Sequence, residues 1–420
     1  MSPSGAPLPR LETAEWLRRP QTQAVFKAIE AGGFAARAVG GAVRNALLGL
    51  PVADVDIATS APPKEVVRLV ELAGLKAIGT GLKHGTVTVI SGHAPYEVTT
   101  LREDVQTFGR HAHVAFTADW SADARRRDFT INALYCEADG TIHDPLGGYP
   151  DIPARRVRFI GDASARIEED YLRILRFFRM SAIYAAGPLD AEGLLACTQR
   201  RIGLERLSRE RVRQELLRLL AAPRAVEVVE TMQDYGLLTA VLPMAPRTPI
   251  MRRLAEIEAT LAEPADPILR LAALAVEIVE DAEKLLHRLR LSTAEYQTLA
   301  AAAQSPPAVH AGMDERAAKE WIYRLGPDRV RNRVLLDWAR RSIPAQNAAA
   351  RSLYTLPERW SAPRLPLGGA DIMAAGVPAG PHVGQILRDI EEWWIAAGFP
   401  DGRKAIEAEL MRRLASTAQS

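Results

Sequence analysis

At 420 residues the chain is long enough for two or three domains of ordinary size and a large core. Its 53 basic and 51 acidic residues leave a net charge of only +2, so composition gives no global nucleic-acid signal and any basic surface has to be local. Only Cys136 and Cys197 occur, which excludes a disulfide framework and a C-x-x-C zinc site, and neither a signal-peptide core nor an apolar run approaching the ~20 residues of a membrane span is found, so the expectation is a cytoplasmic protein with no membrane association.

Residues 22–31 read as a helix closed by Gly32-Gly33, 35–39 as a strand, and 42–48 as a helix ended by Gly49. Residues 54–59 follow as a strand, 63–73 as a helix opened by proline, and 86–90 and 97–101 as two further strands. The glycine-rich run Gly79-Thr80-Gly81-Leu82-Lys83-His84-Gly85 is no phosphate loop, because a strand pattern follows it and the Walker spacing fails. Residues 102–123 read as a long polar loop, and His111-Ala112-His113 within it as solvated imidazoles without zinc-ligand partners. Asp139-Gly140, between apolar runs at 134–137 and 141–143, signals a two-residue hairpin. After a last strand around 157–160 the pattern becomes successive helices with short loops, and the proline-rich stretch 357–366 reads as a linker. The expected fold class is α+β: a mixed-sheet head over 1–155, a helical neck over 156–220, and a helical body and tail over 221–420.

Chemistry concentrates in four runs. Asp54-Val55-Asp56 places two carboxylates on one face of a strand, a pair of hard oxygen donors suited to Mg²⁺. Gly40-Gly41, just upstream, leaves backbone N–H groups free to approach phosphate closely. In Arg126-Arg127-Asp128-Phe129-Thr130-Ile131-Asn132-Ala133 the arginines can grip triphosphate oxygens, while Asp128 and Asn132 can hold a ribose hydroxyl or brace the loop; the same run also reads as a charged turn with Asp128 capping a helix. Asp144-Pro145-Leu146-Gly147-Gly148-Tyr149-Pro150-Asp151 reads as a turn.

The fourth run, Glu169-Asp170-Tyr171-Leu172-Arg173, is followed by Arg176 and Arg179 on what reads as one helix, with Asp170 and Arg173 neighbours at i, i+3. Leu172, Ile174, Leu175, Phe177 and Phe178 cover most of its circumference, so charges there need a partner. A nucleobase supplies one. Cytosine and adenine present an exocyclic amino donor beside a ring-nitrogen acceptor, complementary to a carboxylate and a guanidinium respectively; uracil and guanine present the reverse.

Gly40-Gly41-x-x-Arg44 followed by Asp54-x-Asp56 resembles the nucleotidyltransferase superfamily that includes DNA polymerase β. Together with Arg126-Arg127-Asp128-Phe129-Thr130-Ile131-Asn132-Ala133, Asp144-Pro145-x-Gly147-Gly148-x-x-Asp151 and Glu169-Asp170-x-x-Arg173, the order and spacing are similar to those of the class II tRNA nucleotidyltransferases, the CCA-adding enzymes. The resemblance covers about the first half of the chain. It implies Asp54 and Asp56 as ligands of Mg²⁺ and Glu97 as a third carboxylate, although Glu97 also reads as an outward residue of an alternating strand. It implies that Gly41, Arg44 and Arg127, with Asp128, contact phosphates and sugar, that Asp170 and Arg173 read the base, and that Arg176 and Arg179 lie near the nucleotide. Ser208-Arg209-Glu210-Arg211, with Glu215, resembles the family's fifth motif, which braces the neck. Asn45 departs from the family's usual aspartate, which puts its role as a ligand in doubt. The 102–123 segment stands where the family has a flexible loop needed to switch from C to A. The implied substrates are ATP, CTP and tRNA, with poly(A) synthesis on RNA and an inactive RNA-binding head as rival readings; intact Asp54, Asp56 and Arg127 argue against the last.

Overall fold

The computed structural model describes residues 7–81, 85–108, 111–303, 309–400 and 402–417, and its internal contacts divide the chain into two units, Met1–Pro243 and Met244–Ser420.

The first unit is built on a seven-stranded sheet. Its strands are β1 (Ala36–Val39), β2 (Asp56–Thr59), β3 (Lys76–Gly81), β4 (Thr86–Ser91), β5 (Ala94–Thr100), β8 (Tyr135–Cys136) and β9 (Ile142–His143), in the order β3-β4-β5-β2-β1-β8-β9. Every pairing is antiparallel except β2 with β5, which run parallel, so the sheet is mixed as the sequence suggests. A parallel pair needs a long connection, here supplied by the helix Pro63–Leu72 and the strands β3 and β4. The edge strand β3 is absent from the sequence reading because Gly79 and Gly81 suppress the usual strand signal. A hairpin is present at Asp139-Gly140, but its connection is not the expected two residues: the Glu137 N–H donates to the Thr141 carbonyl at 2.9 Å, so residues 138–140 form the link, and the strands are shorter than their flanks suggest.

The register fixes what the sheet can display. Val39 pairs with Asp56 on one side and Tyr135 on the other, and Asp56 pairs with Glu97. On the same face Val39, Ala58 and Tyr135 join Leu101, Ala124, Ala133 and Ile160 in a small core. The opposite face is covered by α2 (Pro20–Glu30) and α4 (Pro63–Leu72), which follow α1 (Glu15–Arg18) and flank α3 (Gly41–Leu47) in the chain.

Residues 102–123 are not a loop. They form β6 (Arg102–Phe108) and β7 (His111–Phe116), an antiparallel ribbon outside the main sheet, followed by α5 (Trp120–Arg125). Val105, Thr107, Phe108, Val114 and Phe116 are strand-forming residues interleaved with polar ones, and reading by polarity alone takes such a composition for a loop. The side chains of His111 and His113, and residues 82–84 of the glycine-rich run, lie outside the described residues. The expected strand around 157–160 is only an isolated bridge between Phe129 and Phe159; the Phe159 ring stacks on Phe177 instead, with ring centroids 5.4 Å apart.

Helices α6 (Ala163–Glu169), α7 (Leu172–Tyr184), α8 (Ala191–Gln199) and α9 (Arg209–Leu220) follow the sheet. The Asp170 motif is therefore not on one continuous helix. Asp170 has extended backbone angles (φ −153°, ψ 105°) and breaks α6 from α7, its side chain accepting the Leu172 N–H at 3.1 Å.

The second unit is helical among its described residues. The proline-rich 357–366 stretch is tied down rather than free, because Trp360, Leu365 and Leu367 pack onto the core around Ile372, Ile390 and Trp394. Gly376 to Gly384 opens the helix Pro381–Ala396, whose buried Ile390 and Trp394 account for it as a core element. No helix among the described residues is long and apolar enough to cross a membrane.

Candidate active site

Local sequence sets the carboxylates. Val55 and Ile57 are buried while Asp54 and Asp56 are exposed, so the alternation of burial extends into the segment before β2 although the strand itself begins only at Asp56. Glu97, in register with Asp56 on β5, projects to the same side. Although Asp56 keeps exposed surface, the protein packed around its carboxyl displaces water and pushes it up, the negative charges of Glu97 and Asp54 push it further, and Arg127 offsets them in part. Among the described residues no group of three or more His, Cys, Asp or Glu side chains is gathered as a ligand set. The donor chemistry nonetheless fits a hard divalent cation: adjacent carboxylate oxygens whose mutual repulsion a cation relieves.

Beside Asp56 lies a cavity of about 600 Å³ in the first unit. It is lined by eight arginines (Arg44, Arg102, Arg126, Arg127, Arg173, Arg176, Arg179, Arg211) against three aspartates (Asp56, Asp128, Asp170), with Gly40 and Gly41 at its edge. The globally neutral chain thus concentrates positive charge at one point, the electrostatic requirement for a polyphosphate. Gly40 has φ 69°, a left-handed conformation that lets the chain turn from β1 into α3 next to Asp56, opposite which Val39 is paired.

Most of these side chains are held by other protein groups. Arg126 and Arg127 share the buried Asp123, at 2.8 and 2.9 Å, and the Tyr135 hydroxyl donates to the same carboxylate at 2.8 Å. Arg44 is 8% exposed, lies over the Tyr184 ring at 3.9 Å, donates to the Tyr184 hydroxyl at 2.6 Å, and also bonds Asn132. Burial draws its guanidinium pKa down, with the nearby Arg179 charge adding to the effect. Asn45 accepts from Arg44 at 2.9 Å and donates to the Pro51 carbonyl at 2.8 Å, so its amide serves the turn after α3.

Asp128 does not cap a helix; one 3-10 turn, Thr130–Asn132, follows it. One of its oxygens accepts from the Phe129 N–H and the Asn132 amide, both at 2.9 Å, and the other from Arg176 at 2.8 Å. Burial alone pushes Asp128 up, yet Arg176 and Asn132 bring it below the ordinary carboxylate value. Asp123 behaves alike under Arg127 and Arg126. Arg179, and at 3.8 Å Arg176, reach the buried Glu215 on α9, so an ionic chain runs from the Asp128 loop through α7 to α9.

Because the folded-state pKa values of Asp123 and Asp128 are depressed, their stabilisation is present above the unfolded carboxylate pKa and is lost as pH falls through the lower folded value. Asp128→Ala, which leaves Arg176 only its longer contact with Glu215 and removes the acceptor of the Phe129 N–H and the Asn132 amide, is expected to destabilise the protein by about 2 kcal/mol. Urea unfolding checks this, and a change under 1 kcal/mol would refute the bracing role.

Asp170 and Arg173 both line the cavity but are not paired with each other, in contrast to the i, i+3 expectation. Arg211 on α9 grips Asp170, with Nη2–Oδ2 at 2.6 Å and Nη1–Oδ1 at 3.2 Å. Arg173 bonds Glu169 and donates to the Arg166 carbonyl at 2.7 Å. The structure thus brings Asp56, Gly41, Arg44, Arg127, Asp128, Asp170, Arg173, Arg176 and Arg179 to one cavity, with Asp54 and Glu97 beside Asp56 rather than in the lining. The sequence reading missed Asp123, Tyr184 and Arg102. Asp123 was detectable from its i, i+3 and i, i+4 spacing to Arg126 and Arg127; Tyr184 carries no such signal. Among the arginines of residues 200–213, Arg200 pairs with Glu168 at 2.9 Å and Arg206 lies over Tyr171, while Arg211 lines the cavity. The turn at Asp144 holds the Gly148 and Tyr149 N–H groups, each at 2.8 Å, as a plain turn does.

Residues 36–158 match the family described as the poly A polymerase head domain, and residues 190–247 match the one described as a probable RNA and SrmB binding site of polymerase A. The chain is 37% identical over 369 residues to the mitochondrial CCA tRNA nucleotidyltransferase 1 of Danio rerio, covering 86% of this chain and 83% of that protein. It is 31% identical over 389 residues to the CCA-adding enzyme of Lacticaseibacillus paracasei, covering 91% and 93%. The crystal structure of the Bacillus stearothermophilus CCA-adding enzyme in complex with CTP superposes with a TM-score of 0.72 at 28% identity, over 95% of this chain and 98% of that one.

Proposed function

The chain belongs to the tRNA nucleotidyltransferase and poly(A) polymerase family, and from that premise we propose that it adds C, C and A to the 3′ end of tRNA from CTP and ATP, without a nucleic-acid template. The arginine-lined cavity abutting Asp56, with Asp170 and Arg173 both in its wall, is the observation that carries this reading. A polynucleotide 3′ end and a nucleoside triphosphate are both anions, and this cavity answers their charge while presenting one carboxylate and one guanidinium for a base.

Arg127, already oriented by Asp123, would meet triphosphate oxygens, and Gly41 leaves room for close backbone approach. Arg44, Asp128, Arg176 and Arg179 would act chiefly by holding the loop, α3 and α7 in register around the nucleotide, since their charges are directed to Tyr184, Asn132 and Glu215 as well as to the cavity. Asp170 would accept from the exocyclic amino group of C or A, and Arg173 would donate to the adjacent ring nitrogen. Asp54 and Asp56, with Glu97 beside them, would hold Mg²⁺, which when bound supplies charge neutralisation at the triphosphate and acidifies the attacking 3′-hydroxyl. The helical residues 221–420 are assigned to tRNA binding, and the cytoplasm as the location.

Incubating the protein with tRNA lacking its 3′ end and all four NTPs, then sequencing the products, tests the proposal: discrete CCA ends are expected. The family description of the head also admits poly(A) synthesis, and a ladder of A residues would establish that reading instead.

The β6–β7 ribbon occupies the place of the family's specificity-switching segment. C and A share donor and acceptor order but differ in ring size, so the base-reading side chains have to shift between them. Shortening the ribbon within 104–114 is expected to leave CC addition intact and stop synthesis before the terminal A. Gel analysis of end-labelled tRNA checks this; completion of CCA at the wild-type rate would make the ribbon a passive element.

A further inference from the structure

We infer that Arg211 is a positioning residue for base selection, acting through Asp170. This deepens the proposed function and rests on Asp170 being the acceptor for the exocyclic amino group.

The argument begins with the lone pairs of one carboxylate. An ionised carboxylate offers about four acceptor positions. At Asp170, Arg211 takes one on each oxygen in a fork-to-fork arrangement, at 3.2 Å to Oδ1 and 2.6 Å to Oδ2, and the Leu172 N–H takes another on Oδ1 at 3.1 Å. That leaves a single position on Oδ2. Both side chains line the cavity and are about a quarter exposed, so the remaining lone pair is accessible from it. A carboxylate held in this way can receive one N–H donor from one direction, which is what an exocyclic amino group provides. A base with a carbonyl oxygen at that point meets negative charge with no room to rotate away.

Asp170 cannot hold this orientation by itself. It sits in the extended break between α6 and α7, where the backbone constrains the side chain through one N–H only. Arg211 comes from α9, 41 residues later in the chain, and the planar guanidinium fixes the carboxylate plane as an ammonium does not. One helical turn on, Glu215 clamps Arg179 and approaches Arg176. A single face of α9 therefore holds Asp170 through one residue and the α7 arginines through another, and the Arg211 contact is part of a built frame rather than a surface ion pair.

The test measures single-turnover incorporation of each of the four NTPs, at several concentrations, by wild type, Arg211→Ala, Arg211→Lys, Asp170→Asn and the double variant Arg211→Ala/Asp170→Asn. The expected result is that Arg211→Ala loses about tenfold of its preference for CTP over UTP, mainly through a raised KM for CTP with kcat nearly unchanged. Arg211→Lys, which keeps the charge but not the fork, should retain the melting temperature without recovering the preference. In the Asp170→Asn background the Arg211→Ala change should have no further effect on discrimination, because its route of action is gone. Unchanged discrimination in both Arg211 variants, with Asp170→Asn still impaired, overturns the inference and spares the reading of Asp170. Wild-type discrimination in Asp170→Asn removes that reading and the inference together.

Discussion

Asp54→Ala and Asp56→Ala are each expected to reduce nucleotide transfer by at least about 10³-fold while leaving tRNA affinity close to wild type. The two carboxylates stand exposed just before and at the start of β2, and Asp56 pairs in register with Glu97, so removing either takes away a hard anionic group that the proposed function gives to Mg²⁺, without touching a core contact. Stability should move the other way from activity. The carboxyl of Asp56 is raised by the protein packed around it and by Glu97 and Asp54, so its ionised form is disfavoured in the folded protein, and its contribution is destabilising at pH values above the raised folded value. Asp56→Asn removes that strain and should melt at or above the wild-type temperature at neutral pH while being inactive. Rapid-quench measurement of single additions, a tRNA binding isotherm and a thermal melt together check the prediction. Near-wild-type rates in either alanine variant would remove the metal assignment, and a large loss of melting temperature in Asp56→Asn would show that the carboxylate supports the fold instead.

Arg173→Ala is the second large effect. It should lower discrimination against UTP and GTP by about 10²-fold or more while weakening triphosphate binding far less. The arginines held by Asp123 remain in place, so on the proposed function the phosphate contacts survive and only the donor to the base ring nitrogen is lost. The variant also frees Glu169, whose carboxylate still has Arg166 as a partner, so the break between α6 and α7 should persist. Competition between CTP and UTP for one tRNA end gives the readout. Equal relative rates with all four NTPs in variant and wild type would show that Arg173 does not read the base.

The chain's local chemistry was legible without coordinates wherever a side chain's direction follows from its neighbours. Asp54 and Asp56 share a side because a strand alternates, and Gly40 sits where the backbone needs a positive φ. The hairpin at Asp139-Gly140 and the mixed sheet were likewise readable from turn residues and apolar alternation. Short-range patterns misled where polarity stood in for conformation. The 102–123 segment contains a ribbon because its strand-forming residues pair with each other, and that pairing is invisible to a reading that scores polar content. The run Glu169-Asp170-Tyr171-Leu172-Arg173 reads as one helix because the apolar residues after it recur at helical spacing, whereas Asp170 leaves the helical region and its side chain accepts the Leu172 N–H.

What only the tertiary structure decided is which groups share charge. Asp170 finds Arg211, Arg44 finds Tyr184, and Glu215 finds Arg179, across 41, 140 and 36 residues of chain. The sequence by itself determined which residues carry charge and which way local structure points them. Partner choice depends on how α7 and α9 pack and on the strand register that sets Asp56 beside Glu97, because a buried or half-buried ion depends on whatever opposite charge or hydrogen-bonding group the packing brings within reach.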